Sequence, residues 1–234
     1  MTTDSVQNST RQPAFHLPPT LLQAGDRMSR PEFLRLYEMM PEAENLELVE
    51  GVVYMSSPVS AASHGVPHSQ LNAWLTVYAA HTPGLECGDN STIHLDFDNA
   101  PQPDCYLRTL ESVGGQSRMD KGYVVGAPEL IAEVSSSSVS YDLHDKLRAY
   151  QRNGVQEYLV WRVRDCAIDW FVLRDGRYTK LAAGDAGVIQ SQIYPGLWLA
   201  ASALIDGNMP QVLETLNQGL ASAAHESFVE SLKR

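Results

Sequence analysis

Apolar and polar positions change period several times along the chain, and each change predicts an element. In PEFLRLYEMM (31–40) apolar residues recur at helical spacing, with Ser29 and Glu32 placed as a capping box. Alternation then takes over. Leu46, Leu48 and Glu50 alternate with Glu47 and Val49, Gly51 marks a bend, and the β-branched run after it completes a hairpin that Pro58 closes. Val66, Leu71, Trp74, Leu75 and Tyr78 return to a 3.6-residue period, which predicts a helix over 60–81, ended by Pro83-Gly84. Strands are expected over 85–88, 91–97, 103–108 and 129–135, then a helix over 140–152. EYLVWRV, AIDWFVL, RYTKLAA and GVIQSQI read as a meander that YPGLWLAASALID closes. ESVGGQSRMDKG (111–122) is expected to be a flexible loop.

This order of elements predicts an α/β (α+β) fold, a mixed central sheet flanked by helices rather than a doubly wound alternation. Residues 1–27 read as an N-terminal arm, partly flexible; 28–207 as the domain; 208–234 as a polar helical tail. Trp161, Trp170, Phe171 and Trp198 sit in alternating strands and read as core or interface.

Composition narrows the class. The 234 residues are 44% hydrophobic and 19% charged, which suits one globular domain. No apolar run approaches the ~18 residues needed to span a bilayer, and no basic start leads into an apolar segment, so neither a membrane partner nor a secretion signal is expected. Cys87, Cys105 and Cys166 form no C-x-x-C pair, which argues against a disulfide framework or structural zinc and points to a cytoplasmic protein. The net charge of −11 works against tight nucleic-acid binding but suits a site that holds a cation.

Acids inside apolar strands carry the chemistry. Asp104 lies in QPDCYLR and Glu133 in PELIAEVS, where an unpaired charge costs several kcal/mol, so each needs a partner, a metal or a raised pKa. Period-two alternation turns Ile131, Glu133 and Ser135 to one face of the strand. Asp104, Glu133 and the Val134 carbonyl are hard oxygen donors suited to magnesium. On spacing alone the alternatives stay open: Asp104 as a strand-end acid, Glu133 as a buried ion-pair partner, Lys146 as a surface lysine paired with Asp142.

The segments ELVEGVVYMSSPVSAASH, QPDCYL, PELIAEVSS and YDLHDKLRAYQRNGVQEYLVW resemble, in this order, the Uma-two family of restriction endonucleases, a bacterial branch of the PD-(D/E)xK nuclease superfamily. The likeness spans about residues 28–205, and its most specific part is the string Lys146, Tyr150, Gly154-Val155, Glu157-Tyr158. It implies a restriction-endonuclease-like sheet with a magnesium site at one end. Asp104 and Glu133 match the metal-binding acids. The superfamily's usual lysine position holds Ser135, which makes Lys146 on the next helix the candidate catalytic cation. Glu50 matches the hairpin acid, a further ligand or an orienter of water; a polar residue beside the turn is the other reading. His64 matches the histidine that opens the long helix, placed to contact phosphate or to cap. The run Ser135 to Ser138 is expected to cap the following helix or to offer hydroxyls to phosphate, and Tyr150 to pack, with its hydroxyl in reach of Glu133. His68 lies one turn later, but Gly65 stands where H-E-x-x-H needs a glutamate, which rules out a zincin pattern.

The expected function is Mg2+-dependent endonucleolytic hydrolysis of DNA phosphodiester bonds, with Mn2+ able to substitute. Asp104 and Glu133 bind metal, Lys146 and Glu50 assist, and His64, Ser135 and Tyr150 contact substrate. A homodimer is a reasonable expectation for cutting two strands. The alternatives are a catalytically inactive nuclease-fold binding module and a metal-dependent hydrolase of a non-nucleic substrate.

Overall fold

A computed structural model of the chain describes residues 22–40, 46–55, 60–184 and 187–233. Helix α1 (Arg30–Tyr37) carries Pro31 as its second residue, where its fixed φ suits the first turn. Ser29 takes the N-cap position without a side-chain capping bond, so the expected capping box does not form. Strands β1 (Leu46–Val49) and β2 (Val52–Met55) pair antiparallel around the turn Glu50-Gly51, whose φ values of 53° and 71° are those a two-residue hairpin turn requires. One face of this hairpin buries Leu46, Leu48 and Val53 against Leu22 and Phe33. Its other face carries Glu47 directly opposite Tyr54. Residues 1–21 of the expected arm and Pro58 lie outside the described residues.

A π-helical turn, Ala61–Gly65, leads into α2 (Val66–Ala80). There follow β3 (Leu85–Asp89), β4 (Ile93–His94), β5 (Cys105–Thr109), β6 (Arg118–Asp120), β7 (Tyr123–Val125) and β8 (Leu130–Ser135). The next segment is α3 (Val139–Tyr141), a second π-helical turn Asp142–Lys146, and α4 (Leu147–Asn153). The chain ends through β9 (Glu157–Arg162), β10 (Ala167–Arg174), β11 (Arg177–Lys180), β12 (Val188–Gln190), β13 (Trp198–Ala200), α5 (Ala201–Ile205), α6 (Met209–Leu220) and α7 (Ala223–Ser231).

The main sheet runs β11-β10-β9-β8-β5-β3, and only β8 and β9 are parallel. A parallel pair needs a crossover, which α3 and α4 supply. Every residue of β8 is buried, because both faces of the sheet are covered. Leu71, Trp74 and Leu75 of α2 cover one face, over Leu107, Leu130, Ala132 and Leu159. Each such side chain contributes about 1.5–3 kcal/mol by leaving water. Tyr150 and Val155 cover the other face, over Tyr106, Ile131, Tyr158 and Val160. This is the mixed α+β architecture with a central sheet flanked by helices.

Several elements differ from their expected form. The strand expected over 91–97 shrinks to β4, which pairs with β7 in a separate small sheet, because Asp96 accepts bonds from the Asp98 backbone and Asn99 and turns the chain. The glycine-rich segment is tied down: Glu111–Val113 form a 3-10 turn, the Gln116 N–H bonds Glu129 Oε1, and β6 pairs with β7. The helix expected over 140–152 contains the second π turn. The expected polar tail is helical, but Val212 and Leu216 of α6 pack into the main core, so residue 207 does not end the folded body.

Candidate active site

Antiparallel pairing of β5 with β8 sets Cys105 opposite Ala132, so Asp104 at the start of β5 meets Glu133 near the end of β8. Both acids project toward α4, since the intervening Cys105 and Ala132 face α2. The Val134 N–H donates to Asp104 Oδ2 at 2.6 Å, and His64 Nε2 lies 3.1 Å from Oδ1. The Asp104 N–H reaches Glu133 Oε2 at 3.3 Å, a weak bond that leaves this oxygen able to accept another partner. Glu133 Oε1 receives Lys146 Nζ at 3.0 Å and the Tyr150 hydroxyl at 2.8 Å.

Lys146 is buried. Its ammonium also lies 3.1 Å from Glu47 Oε2, so one cation bridges acids from the hairpin and the sheet. Glu47 Oε2 is itself held by the Gln102 N–H at 3.0 Å. Burial opposes the Lys146 charge, but Glu133, Glu47 and Asp142 outweigh it and hold the ammonium well above the usual lysine range. For Glu133 burial is the largest influence, and with repulsion from Asp104, Asp142 and Glu47 it raises the carboxyl well above its usual range despite Lys146. Burial also pushes Asp104 up, yet the His64 hydrogen bond and charge, the Val134 N–H and Lys146 prevail, so its pKa is lowered. The same hydrogen bond is the largest influence on His64 and raises it.

The expected residues therefore divide. Asp104, Glu133, Lys146, Tyr150 and His64 meet in one cluster. Glu50 does not join it: in its tight turn it pairs with Arg152 at 2.9 Å, and the hairpin acid that reaches Lys146 is Glu47. Three positions separate the two glutamates, which in a strand reverses the side-chain direction. Ser135 is fully buried and donates to Asp142 Oδ2 at 2.6 Å, as does the half-buried Ser138, which sits at the N-cap of α3 without a side-chain capping bond. Tyr150 is likewise fully buried, which limits it to holding Glu133. His68 bonds the Asp104 carbonyl at 2.8 Å. Lys146 makes no ion pair with Asp142; it turns inward. Glu47 was open to discovery, since an acid between Leu46 and Leu48 raises the same question as Glu133.

Tyr150 reaches in from α4, while His64 and Lys146 lie in π turns, a distortion that often marks functional positions. Glu47, Asp104, Glu133 and Asp142 outnumber Lys146 and His64, so the cluster has room for further positive charge. Among the described residues no three His, Cys, Asp or Glu side chains form a ready metal cage. Asp104 and Glu133 alone fit magnesium, which takes one or two carboxylates and completes its shell with water and substrate phosphate.

Among solved structures, the chain resembles a putative nuclease belonging to DUF820 from Anabaena variabilis ATCC 29413, with a TM-score of 0.56 and 13% identity, over 76% of this chain and 98% of that one. At that identity the likeness speaks for the fold. A comparison with curated proteins finds no match. No helix among the described residues is long and apolar enough to cross a membrane. The model of the Uma2 family, described as "Putative restriction endonuclease", matches residues 30–202, and the chain belongs to that family.

Proposed function

We propose that this protein is a Mg2+-dependent endonuclease that hydrolyses DNA phosphodiester bonds, with Asp104 and Glu133 holding the ion and Lys146 supplying the catalytic cation. The observation that carries the reading is the buried Lys146 ammonium, held between Glu133 and Glu47 beside a second carboxylate on the adjoining strand. Family membership and the nuclease-like fold support it. Asp104 and Glu133 would hold a divalent ion, whose contribution there would be charge against the phosphoryl oxygens and a more acidic water.

The chain's own residues do the rest. The Val134 N–H fixes one Asp104 oxygen, and Lys146 with Tyr150 fixes Glu133 Oε1, which leaves Oε2 turned to Asp104. Water attacks phosphorus, the bond to the leaving sugar oxygen breaks, and a phosphomonoester and a hydroxyl result. Lys146 stabilises the negative charge that grows on the phosphoryl group, from a position its acid partners fix in advance. Incubation of supercoiled and single-stranded DNA with Mg2+, Mn2+ or EDTA tests this. Cleavage should require the metal, fail in Glu133→Gln and persist in Glu50→Gln. Metal-dependent cleavage that survives in Glu133→Gln would contradict the assignment.

A further inference from the structure

Beside the catalytic cluster lies an aromatic pair that the hydrolytic chemistry does not use. Tyr54 is the cross-strand partner of Glu47, and its ring centroid lies 4.1 Å from that of Tyr141, tilted by 34°. Lys146 Nζ in turn lies 5.4 Å from the centre of the Tyr141 ring. Tyr54 is partly exposed, and its hydroxyl is anchored to Asp145 Oδ2 at 3.0 Å. The other Asp145 oxygen holds Arg148, whose side chain is 62% exposed. Arg27, also exposed, forms a backbone β-bridge with Val52, two residues before Tyr54 on the same strand. The Tyr141 hydroxyl is buried without a partner.

A chain of net charge −11 thus places two exposed arginines near a close, tilted tyrosine pair next to its candidate catalytic lysine. The geometry points to a ledge for an unpaired nucleobase: the base stacks on Tyr54, Arg148 and Arg27 take the adjoining phosphates, and the scissile phosphate falls toward Lys146. In a duplex each base face is covered by its neighbours, so an aromatic ledge selects single-stranded or frayed nucleic acid. The inference rests on the phosphodiesterase reading of the adjoining cluster and names its substrate class.

Fluorescence anisotropy of a labelled single-stranded oligonucleotide and of its duplex, in calcium buffer, tests it. The single strand should bind about 10-fold more tightly than the duplex; Tyr54→Ala should lose about 10-fold on the single strand alone, and Tyr54→Phe should keep most affinity because it keeps the ring. Should Tyr54→Ala fail to fold by circular dichroism, Arg148→Ala gives the second reading, a salt dependence shallower by about one phosphate contact. Equal or tighter duplex binding, wild-type affinity in Tyr54→Ala, an unchanged slope in Arg148→Ala, or no binding of either oligonucleotide would overturn the ledge. Hydrolysis of methyl 4-nitrophenyl phosphate with Mn2+, compared in the wild type and Tyr54→Ala, separates the two ideas, because that ester has no nucleobase and no flanking phosphates: equal activity in both leaves the catalytic reading standing when the ledge fails.

Discussion

Two buried glutamates on neighbouring strands, Glu133 on β8 and Glu157 on β9, show how differently one fold uses the same side chain. Burial is the largest influence on both and raises both. Glu157 sits on the α2 face and is saturated: Oε2 accepts from Trp170 Nε1 at 3.1 Å and Ser191 Oγ at 2.8 Å, while Oε1 accepts from the N–H groups of Gln192 and Ile193 at 2.6 and 3.3 Å. Those donors are neutral, and three of them come from residues 191–193, so the carboxylate pins that segment to the sheet. Glu133 sits on the opposite face among charged side chains, with a full load on Oε1 and only a long contact on Oε2. An acid with a spare oxygen among surplus acids is suited to a cation. An acid with four neutral donors is architecture.

The sharpest separation comes from removing each charge. Glu133→Gln and Asp104→Asn should lower metal-dependent hydrolysis about 10³-fold, the order that loss of a transition-state charge contact produces, and keep cooperative thermal unfolding. Glu157→Gln should do the reverse, keeping activity per folded molecule and losing about 1–3 kcal/mol of stability in denaturant titrations, since its amide N–H groups would face donors. On stability the larger loss is that of Lys146→Met, which leaves two buried acids uncompensated and should cost about 3–5 kcal/mol. Adding Glu47→Gln should restore part of that loss in a double-mutant cycle; additivity would show that the two side chains do not interact.

A smaller effect reads the Glu157 side by pH. Burial raises its carboxyl from 4.5 to about 7, against the donors around it. The unfolded chain therefore releases this proton first, and stability should fall as pH rises through that window, by about 1.4 kcal/mol for each unit of difference. Glu157→Gln should flatten that part of the profile; an unchanged slope would mean the carboxyl is already ionised in the fold. Least of all, Arg152→Ala breaks half-exposed pairs to Glu50 and Asp96, and should cost under about 1 kcal/mol with hydrolysis unchanged.

Strand period made Asp104 and Glu133 readable, because an acid in an apolar strand must answer for its charge and alternation fixes which way it points. Lys146 needed the family resemblance, since a lysine four residues after an aspartate looks like a surface pair until a π turn and two acids draw it inward. The π turns themselves were invisible to a 3.6-residue template, which cannot register one extra residue per turn. Glu50 lies in the turn and pairs with Arg152, whereas Glu47, three positions earlier on β1, pairs with Lys146; alternation alone does not say which of the two acids meets the cluster. Along α6, Met209, Val212, Leu213 and Leu216 recur at helical spacing, a local sign of an apolar stripe; that the stripe joins the main core beside α2 is a tertiary fact the period alone does not give.

The most direct test of the central claim, that Asp104 and Glu133 form one cation site, is a calorimetric titration of Mn2+ into the wild type, Asp104→Asn, Glu133→Gln and Glu50→Gln. The account predicts binding in the wild type and in Glu50→Gln, and none in the other two. Wild-type binding in Asp104→Asn, or loss in Glu50→Gln alone, would contradict it.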